Sequence, residues 1–342
     1  MLMFWRAAAV LSAAFLIGCG QGDERHHKYK IGVSVYQADD IYISEFREWM
    51  AASVKEKEAA YGVTIVMNVA DAAGVQSLQN DQVDKFISQG YDVMCVNMVD
   101  RTAAAVIVDK AKLADIPVVF FNREPVQEDM ARWSKVYYVG GKAEQSGVMQ
   151  GEIIADLFQN HGELVDRNDD GVLQYVMLEG EPGHQDALLR TEYSIATLTR
   201  RGVRIEKLAN DTGNWQRSQA KEKMSAWLAE FGGAIEVVFS NNDSMALGAV
   251  EALREKGYNL PDCDKQVIVI GVDAIKAAME AICQGALYAT VLNDAKSQAQ
   301  GVIDIAYSVA STGEALSAVP GFDGKYLLLD YRPVMREDVK EN

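Results

Sequence analysis

Short β-branched apolar runs alternate, along nearly the whole chain, with longer stretches whose apolar positions recur at helical spacing. That is the signature of βαβ units on parallel sheets. The runs predict strands at residues 30–36, 63–69, 92–97, 118–122, 136–139 and 174–179, then at 204–208, 236–240, 267–272, 289–292 and 325–329. Helices are expected at 44–59, 80–88, 143–159, 186–200, 216–230 and 244–256, and a further helix at 297–310 has the apolar spacing of a docking element. So many strands exceed one ordinary sheet. The predicted fold class is α/β, with two doubly wound parallel-sheet lobes between which the chain crosses more than once. The first break is expected where the strand-helix rhythm pauses, near Ile116 and Pro117.

A length of 342 residues with 49% apolar content is enough for two cores. The chain has 33 Lys+Arg against 49 Asp+Glu and a formal net charge of -16, with no basic run. Such a balance argues against nucleic acid as a partner, because phosphate neutralisation needs a cationic face.

Residues 1–18 hold one cation, Arg6, followed by an apolar stretch over 7–17. The stretch is too short to span a bilayer and has the layout of a secretory signal. Leu16-Ile17-Gly18-Cys19 resembles a bacterial lipobox, in which Cys19 takes the lipid and becomes the mature N-terminus. The expectation is an exported protein held on the extracytoplasmic side, touching the membrane only through its lipid, with residues 19–29 as a tether. Of the other cysteines, Cys95 sits in an apolar run and reads as a small buried hydrophobe. Spacing leaves a bridge between Cys263 and Cys283 open, and no metal spacing is present.

In open parallel sheets, ligands bind outside the carboxyl ends of the strands. Following the predicted strands are Asp40 and Tyr42, Asn97, then His184, Asp186 and Arg190, then Asn242, Asp273 and Asn293, with Trp215 also beyond a strand end. The set lacks a P-loop, a GxGxxG and a GxSxG, and so lacks a phosphate cradle and a nucleophile elbow. It is rich in carboxylates, amides and one guanidinium, which can saturate vicinal hydroxyls. Tyr42 and Trp215 offer aromatic faces to the CH surfaces of a sugar ring. Asp and Asn after strands also cap helices, a role expected here for Asp243 and Asp294.

A second constellation runs from Asp166 to Gln174. Asp166, Asn168, Asp170, the Val172 carbonyl and Gln174 match the oxygen positions of an EF-hand loop, with Gly171 at the tight turn. Met177 stands where the bidentate carboxylate belongs. Either a Glu comes from elsewhere, with Glu236 on a neighbouring strand as the candidate, or the site is weak or absent.

The strings KIGVSVYQADD, PVVFFNREP, GEPGHQDALLRTEY, IEVVFSNNDSMALGAVEAL, GVDAI and TVLNDA resemble the periplasmic glucose/galactose-binding proteins of bacterial ABC transporters, from about Lys30 onward. The resemblance implies a type I sugar-binding fold with three hinge crossings, near 116–118, 292–295 and 328–330. The lobes would be 30–116 plus 295–328 and 117–294 plus 329–342. It implies that Asp40, Asn97, His184, Asp186, Arg190, Asn242, Asp273 and Asn293 meet the hydroxyls of D-glucose or D-galactose, that Tyr42 and Trp215 stack on the ring, and that Glu236 completes a structural Ca2+ site. Tyr42 departs from the Phe common in the family. The implied activity is capture without chemistry by a monomer that is no enzyme and delivers its sugar to an ABC permease; a chemoreceptor is a further candidate partner. The alternative is another monosaccharide, such as ribose, xylose or a furanose signal, in the same fold. A lac-repressor type regulator shares the fold, but an export signal stands where its DNA-binding helices would be.

Overall fold

A computed structural model describes residues 27–260, 265–315 and 319–339. The expected signal segment, Cys19, most of the expected tether and Cys263 lie outside the described residues.

The first sheet contains β1 (Lys28–Val35), β2 (Thr64–Asp71), β3 (Val93–Val96), β4 (Val118–Phe121), β5 (Val136–Gly141) and β11 (Tyr326–Leu329), in the order β11-β5-β4-β3-β1-β2. All its pairs are parallel. Strands β3 and β4 read VMCV and VVFF and are buried throughout, as strands covered on both faces must be. Cys95 is fully buried there and free. Helices α1 (Ile41–Tyr61) and α10 (Ala295–Thr312) cover one face, and α2 (Gln76–Ser88) and α3 (Ala104–Ala114) the other. The short α4 (Gln127–Met130) links β4 to β5.

The second sheet contains β6 (Leu173–Glu179), β7 (Ile205–Thr212), β8 (Val237–Ser240) and β9 (Ile268–Ile270), parallel in the order β7-β6-β8-β9. Parallel bridges from Ile270 to Ala289 and from Asp273 to Leu292 bring β10 (Thr290–Leu292) alongside, and β12 (Arg332–Val334) pairs antiparallel with it. Helices α5 (Ala143–Asn160) and α6 (Gln185–Arg200) pack on one face; α7 (Arg217–Glu230), α8 (Asp243–Glu255) and α9 (Lys276–Cys283) pack on the other. A last turn, α11 (Arg336–Val339), lies against α9.

The predicted α/β class and two-lobed type I architecture hold. The first crossing does not fall at Ile116 and Pro117. Strand β4 begins right there and pairs with both β3 and β5, so the chain stays in the first lobe to Gly141. The pause is merely a tight turn: the Asp115 backbone is left-handed (φ 54°) and its N–H caps α3. The second crossing lies between β10 and α10, and the third between β11 and β12. The first and third run side by side, tied by Lys142 Nζ to Asp330 Oδ1 at 2.6 Å and by the Tyr331 N–H donating to Gln145 Oε1 at 3.0 Å. Lys28 and Tyr29, expected in a tether, instead belong to β1, pairing with Thr64 and Ile65 of β2, and the Tyr29 ring meets Tyr307 edge-on at 5.5 Å. Cys283 is exposed and free.

Candidate functional site

The switch in strand order of the first sheet, between β1 and β3, aims their carboxyl ends at the second lobe. Tyr36 follows β1, and its hydroxyl donates to Asp40 Oδ2 at 2.6 Å. The other carboxylate oxygen, Oδ1, accepts from the Ile43 N–H at 2.9 Å, so Asp40 is the N-cap of α1. Tyr42, in the first turn of that helix, is buried with its hydroxyl unpartnered. After β4 come Asn122, at φ 60°, and Arg123, whose guanidinium carbon lies 3.7 Å from the Tyr36 ring centroid.

The second lobe supplies the opposing wall. His184 caps α6 by accepting the Asp186 N–H at Nδ1 over 3.1 Å, which puts the proton of the neutral ring on Nε2. Burial, followed by the nearby Arg123 and Arg190 charges, holds this imidazole well below its ordinary pKa. One turn on, Arg190 Nη2 meets Asp186 at 2.9 Å and the Tyr331 hydroxyl at 3.0 Å, while Nη1 donates to the Asn241 carbonyl at 2.7 Å and lies 3.9 Å from Asp273. Asn242 caps α8, accepting from the Met245 N–H, and its amide donates to the Trp215 carbonyl at 3.4 Å. Asn293 donates to Asp273 at 3.3 Å and accepts from Gln298 at 2.6 Å. Trp215 (φ 64°) and Asp273 (φ 123°) both occupy left-handed backbone that costs a non-glycine residue free energy.

Together these walls line one cleft between the lobes. Three carboxylates face two guanidiniums and a neutral imidazole, so the lining carries no excess of positive charge to hold an anion. Burial raises the pKa of Asp40, Asp186 and Asp273, with Arg190 opposing the rise most strongly for the latter two. The Nε atoms of Arg123 and Arg190 and the Tyr42 hydroxyl are buried without partners, and a native cavity rarely leaves such groups unsatisfied unless something enters it.

A periplasmic binding protein domain matches residues 31–315. The chain belongs to the periplasmic binding protein family. This binding protein is 40% identical over 307 residues to the D-galactose/methyl-galactoside binding periplasmic protein MglB of Haemophilus influenzae, covering 89% of each chain. It is 32% identical over 293 residues to a putative rhizopine-binding protein of Rhizobium meliloti, covering 85% of this chain and 87% of the relative. Among solved structures, an ABC transporter solute binding protein of Bacillus halodurans with bound myo-inositol superposes with a TM-score of 0.73 at 32% identity, over 93% of this chain and 98% of that one. Membership makes the protein an extracytoplasmic binding protein and not an enzyme.

The fold of this binding protein brings Asp40, Tyr42 and Asn293 into one cleft with His184, Asp186 and Arg190, and with Trp215, Asn242 and Asp273. Asn97 does not reach it. It is fully buried one layer behind, donating to the Phe121 carbonyl and to Asn122 Oδ1 and accepting from the Tyr36 N–H. Its amide therefore positions Tyr36 and Asn122, which do line the cleft together with Arg123. Sequence reasoning missed these three, yet the strand-end rule applied to 118–122 points directly at Asn122 and Arg123. Asp294 caps α10 as expected. Asp243 does not cap α8; its carboxylate accepts from the Thr290 hydroxyl at 2.7 Å and the Ile275 N–H at 3.1 Å, bracing the strained turn at Asp273.

In the acidic loop, Asp166 accepts the Asp170 and Gly171 N–H groups, Asp170 accepts from Val172 and from the Gln174 amide, and Asn168 reaches Asp170 at 3.1 Å. Glu236 closes the loop from β8's edge, its two oxygens accepting the Arg167 and Gln174 N–H groups at 2.8 and 3.0 Å. Among the described residues no three His, Cys, Asp or Glu side chains gather into one metal-holding group; the carboxylates of this loop are spread over backbone N–H donors instead. The donor types fit a hard cation: three carboxylates, two amides and the Val172 carbonyl, with Gly171 at φ 68° turning the chain.

Proposed function

We propose that this binding protein captures one uncharged monosaccharide, D-glucose and/or D-galactose, between its lobes and delivers it to an ABC sugar permease. The observation that carries the reading is a single buried cleft in which Tyr42 and Trp215 accompany carboxylates, amides and guanidiniums on all sides. Rings suit the CH faces of a pyranose, and the paired acceptors and donors suit its hydroxyls. The name of the 40% identical relative supports a galactose-type hexose.

Sugar would bind one lobe of an open form, and hinge rotation would bring in the second. Closure expels water, after which every unmade hydrogen bond is costly. Neutral His184 would donate from Nε2, while Asp186 and Arg190 would form a charged fork around a hydroxyl pair. The lipid anchor on Cys19 and a structural Ca2+ held by Asp166, Asn168, Asp170, Val172, Gln174 and Glu236 belong to the same proposal. The cation's contribution would be to neutralise the loop's carboxylates and hold its ends together.

Titration calorimetry of the protein lacking its lipid against glucose, galactose, ribose, xylose and myo-inositol tests the assignment. The expected outcome is a dissociation constant of about micromolar or tighter, roughly -8 kcal/mol, for glucose or galactose. The inositol-bound Bacillus structure supports a cyclitol as the second reading, and tighter binding of myo-inositol than of either hexose would transfer the assignment to it.

A further inference from the structure

The two lips of the cleft meet at one cation. Arg123 belongs to the first lobe and is held there by two contacts, the Tyr36 ring face at 3.7 Å and the Val99 carbonyl, which accepts from Nη1 at 2.8 Å. Its Nη2 reaches across to Glu181 Oε2 at 2.5 Å, in the loop that joins β6 to α6 in the second lobe. A second bond links the same two lips, the amide of Gln185, at the start of α6, donating to the Asn122 carbonyl at 3.0 Å. The partners differ in setting: the Arg123 side chain is 4% exposed, whereas Glu181 keeps 38% and does not line the cleft.

We propose that Arg123 and Glu181 form a lobe-to-lobe clasp, so that Glu181 sets how firmly the protein closes over its ligand without touching it. The inference rests on reading the cleft as a ligand site that closes between lobes. Opening carries Glu181 away into water, while Arg123 stays pinned to Tyr36 and Val99. The pair therefore forms only in the closed state and biases the population towards it. Apparent affinity scales with the closed-competent fraction, so a group outside the cleft can change affinity through that fraction alone. Because the pair reaches solvent on the Glu181 side, salt weakens it.

Glu181→Gln and Glu181→Lys test the clasp, with small-angle X-ray scattering of ligand-free protein and calorimetry with the tightest-binding sugar. Glu181→Lys places a cation against Arg123, and its ligand-free form is expected to be more open than wild type. Glu181→Gln is expected to bind sugar about threefold to tenfold more weakly. Wild-type affinity should fall as salt rises from about 0.05 to 1 M, while that of Glu181→Gln stays nearly level. Unchanged scattering in Glu181→Lys together with wild-type affinity in both variants overturns the clasp. Should no sugar bind wild type, a more open Glu181→Lys still upholds the clasp and only the ligand assignment fails; no opening and no binding sink both.

Discussion

Asp186 and Trp215 carry the two halves of the recognition argument, polar and aromatic. Asp186 is buried and paired with Arg190 at 2.9 Å, so Asp186→Ala leaves that guanidinium no carboxylate nearer than Asp273 at 3.9 Å while removing an acceptor from the cleft. Trp215→Ala removes the stacking face. Each is expected to weaken hexose binding at least tenfold, about 1.4 kcal/mol, and calorimetric titrations indistinguishable from wild type for both would take these residues out of the site. Asp243 makes a different prediction, in pH. Burial pushes its carboxyl pKa from 3.8 to about 7, so the folded state holds this proton more tightly than the unfolded chain does. Its contribution to stability is fully present below about pH 4 and is lost as pH rises towards 7, by up to about 1.4 kcal/mol per pH unit. Asp243→Asn keeps the shape and removes the titration. Urea midpoints measured between pH 4.5 and 7 should therefore fall less steeply with pH in the variant; parallel slopes would contradict the assignment.

At the scale of elements, the end of β6 is built around the Trp215 ring. A Cβ on Gly180 would lie 2.1 Å from the indole Cη2, far inside contact distance, so Gly180→Ala must move the ring. The expected result is loss of hexose binding by at least tenfold with a shifted tryptophan emission spectrum; retained affinity would mean that the ring position is immaterial. The acidic loop before β6 makes a separate prediction. None of its residues lines the cleft, so the proposed Ca2+ site predicts that a chelator lowers the melting temperature and leaves sugar affinity nearly unchanged. A melting curve indifferent to chelator and to added Ca2+ would count against the loop as a cation site. The elements themselves were legible because buried parallel strands and amphipathic helices write different periods. Lobe membership was not, since Pro117 opens β4 in the same way whether the next strand pairs with β3 or founds a new sheet. Placing the break there separated Asn122 and Arg123 from the strand tips they accompany. Strand β12 was missed for a related reason: three residues including Pro333 carry no alternation, and only its antiparallel partner β10 defines it.

At the scale of the molecule, the first lobe is not complete until nearly the end of the chain. Helix α10 buries Ala299, Val302, Ile303, Ile305, Ala306 and Val309 in the core that also holds Ile31, Val33 and Phe121, and β11 closes the sheet edge by pairing Tyr326 with Tyr138. Each buried Val or Ile is worth about 1.5–3 kcal/mol, so the returning segment supplies stabilisation comparable to the roughly 5–15 kcal/mol net stability of a whole domain. A chain ending at residue 293 would expose that face of β1, β3 and β4 and leave β5 as an unpaired edge. It is expected to lose cooperative unfolding and hydrogen-exchange protection across β1 to β5, although those strands and their own helices are all present. Native-like protection of β3 and β4 in the truncated chain would show that the first lobe folds without its return segment. The same long-range pairing predicts slow refolding of the intact protein, because the β5 to β11 contact closes only after most of the second lobe has been spanned, at the entropic cost of a loop that long.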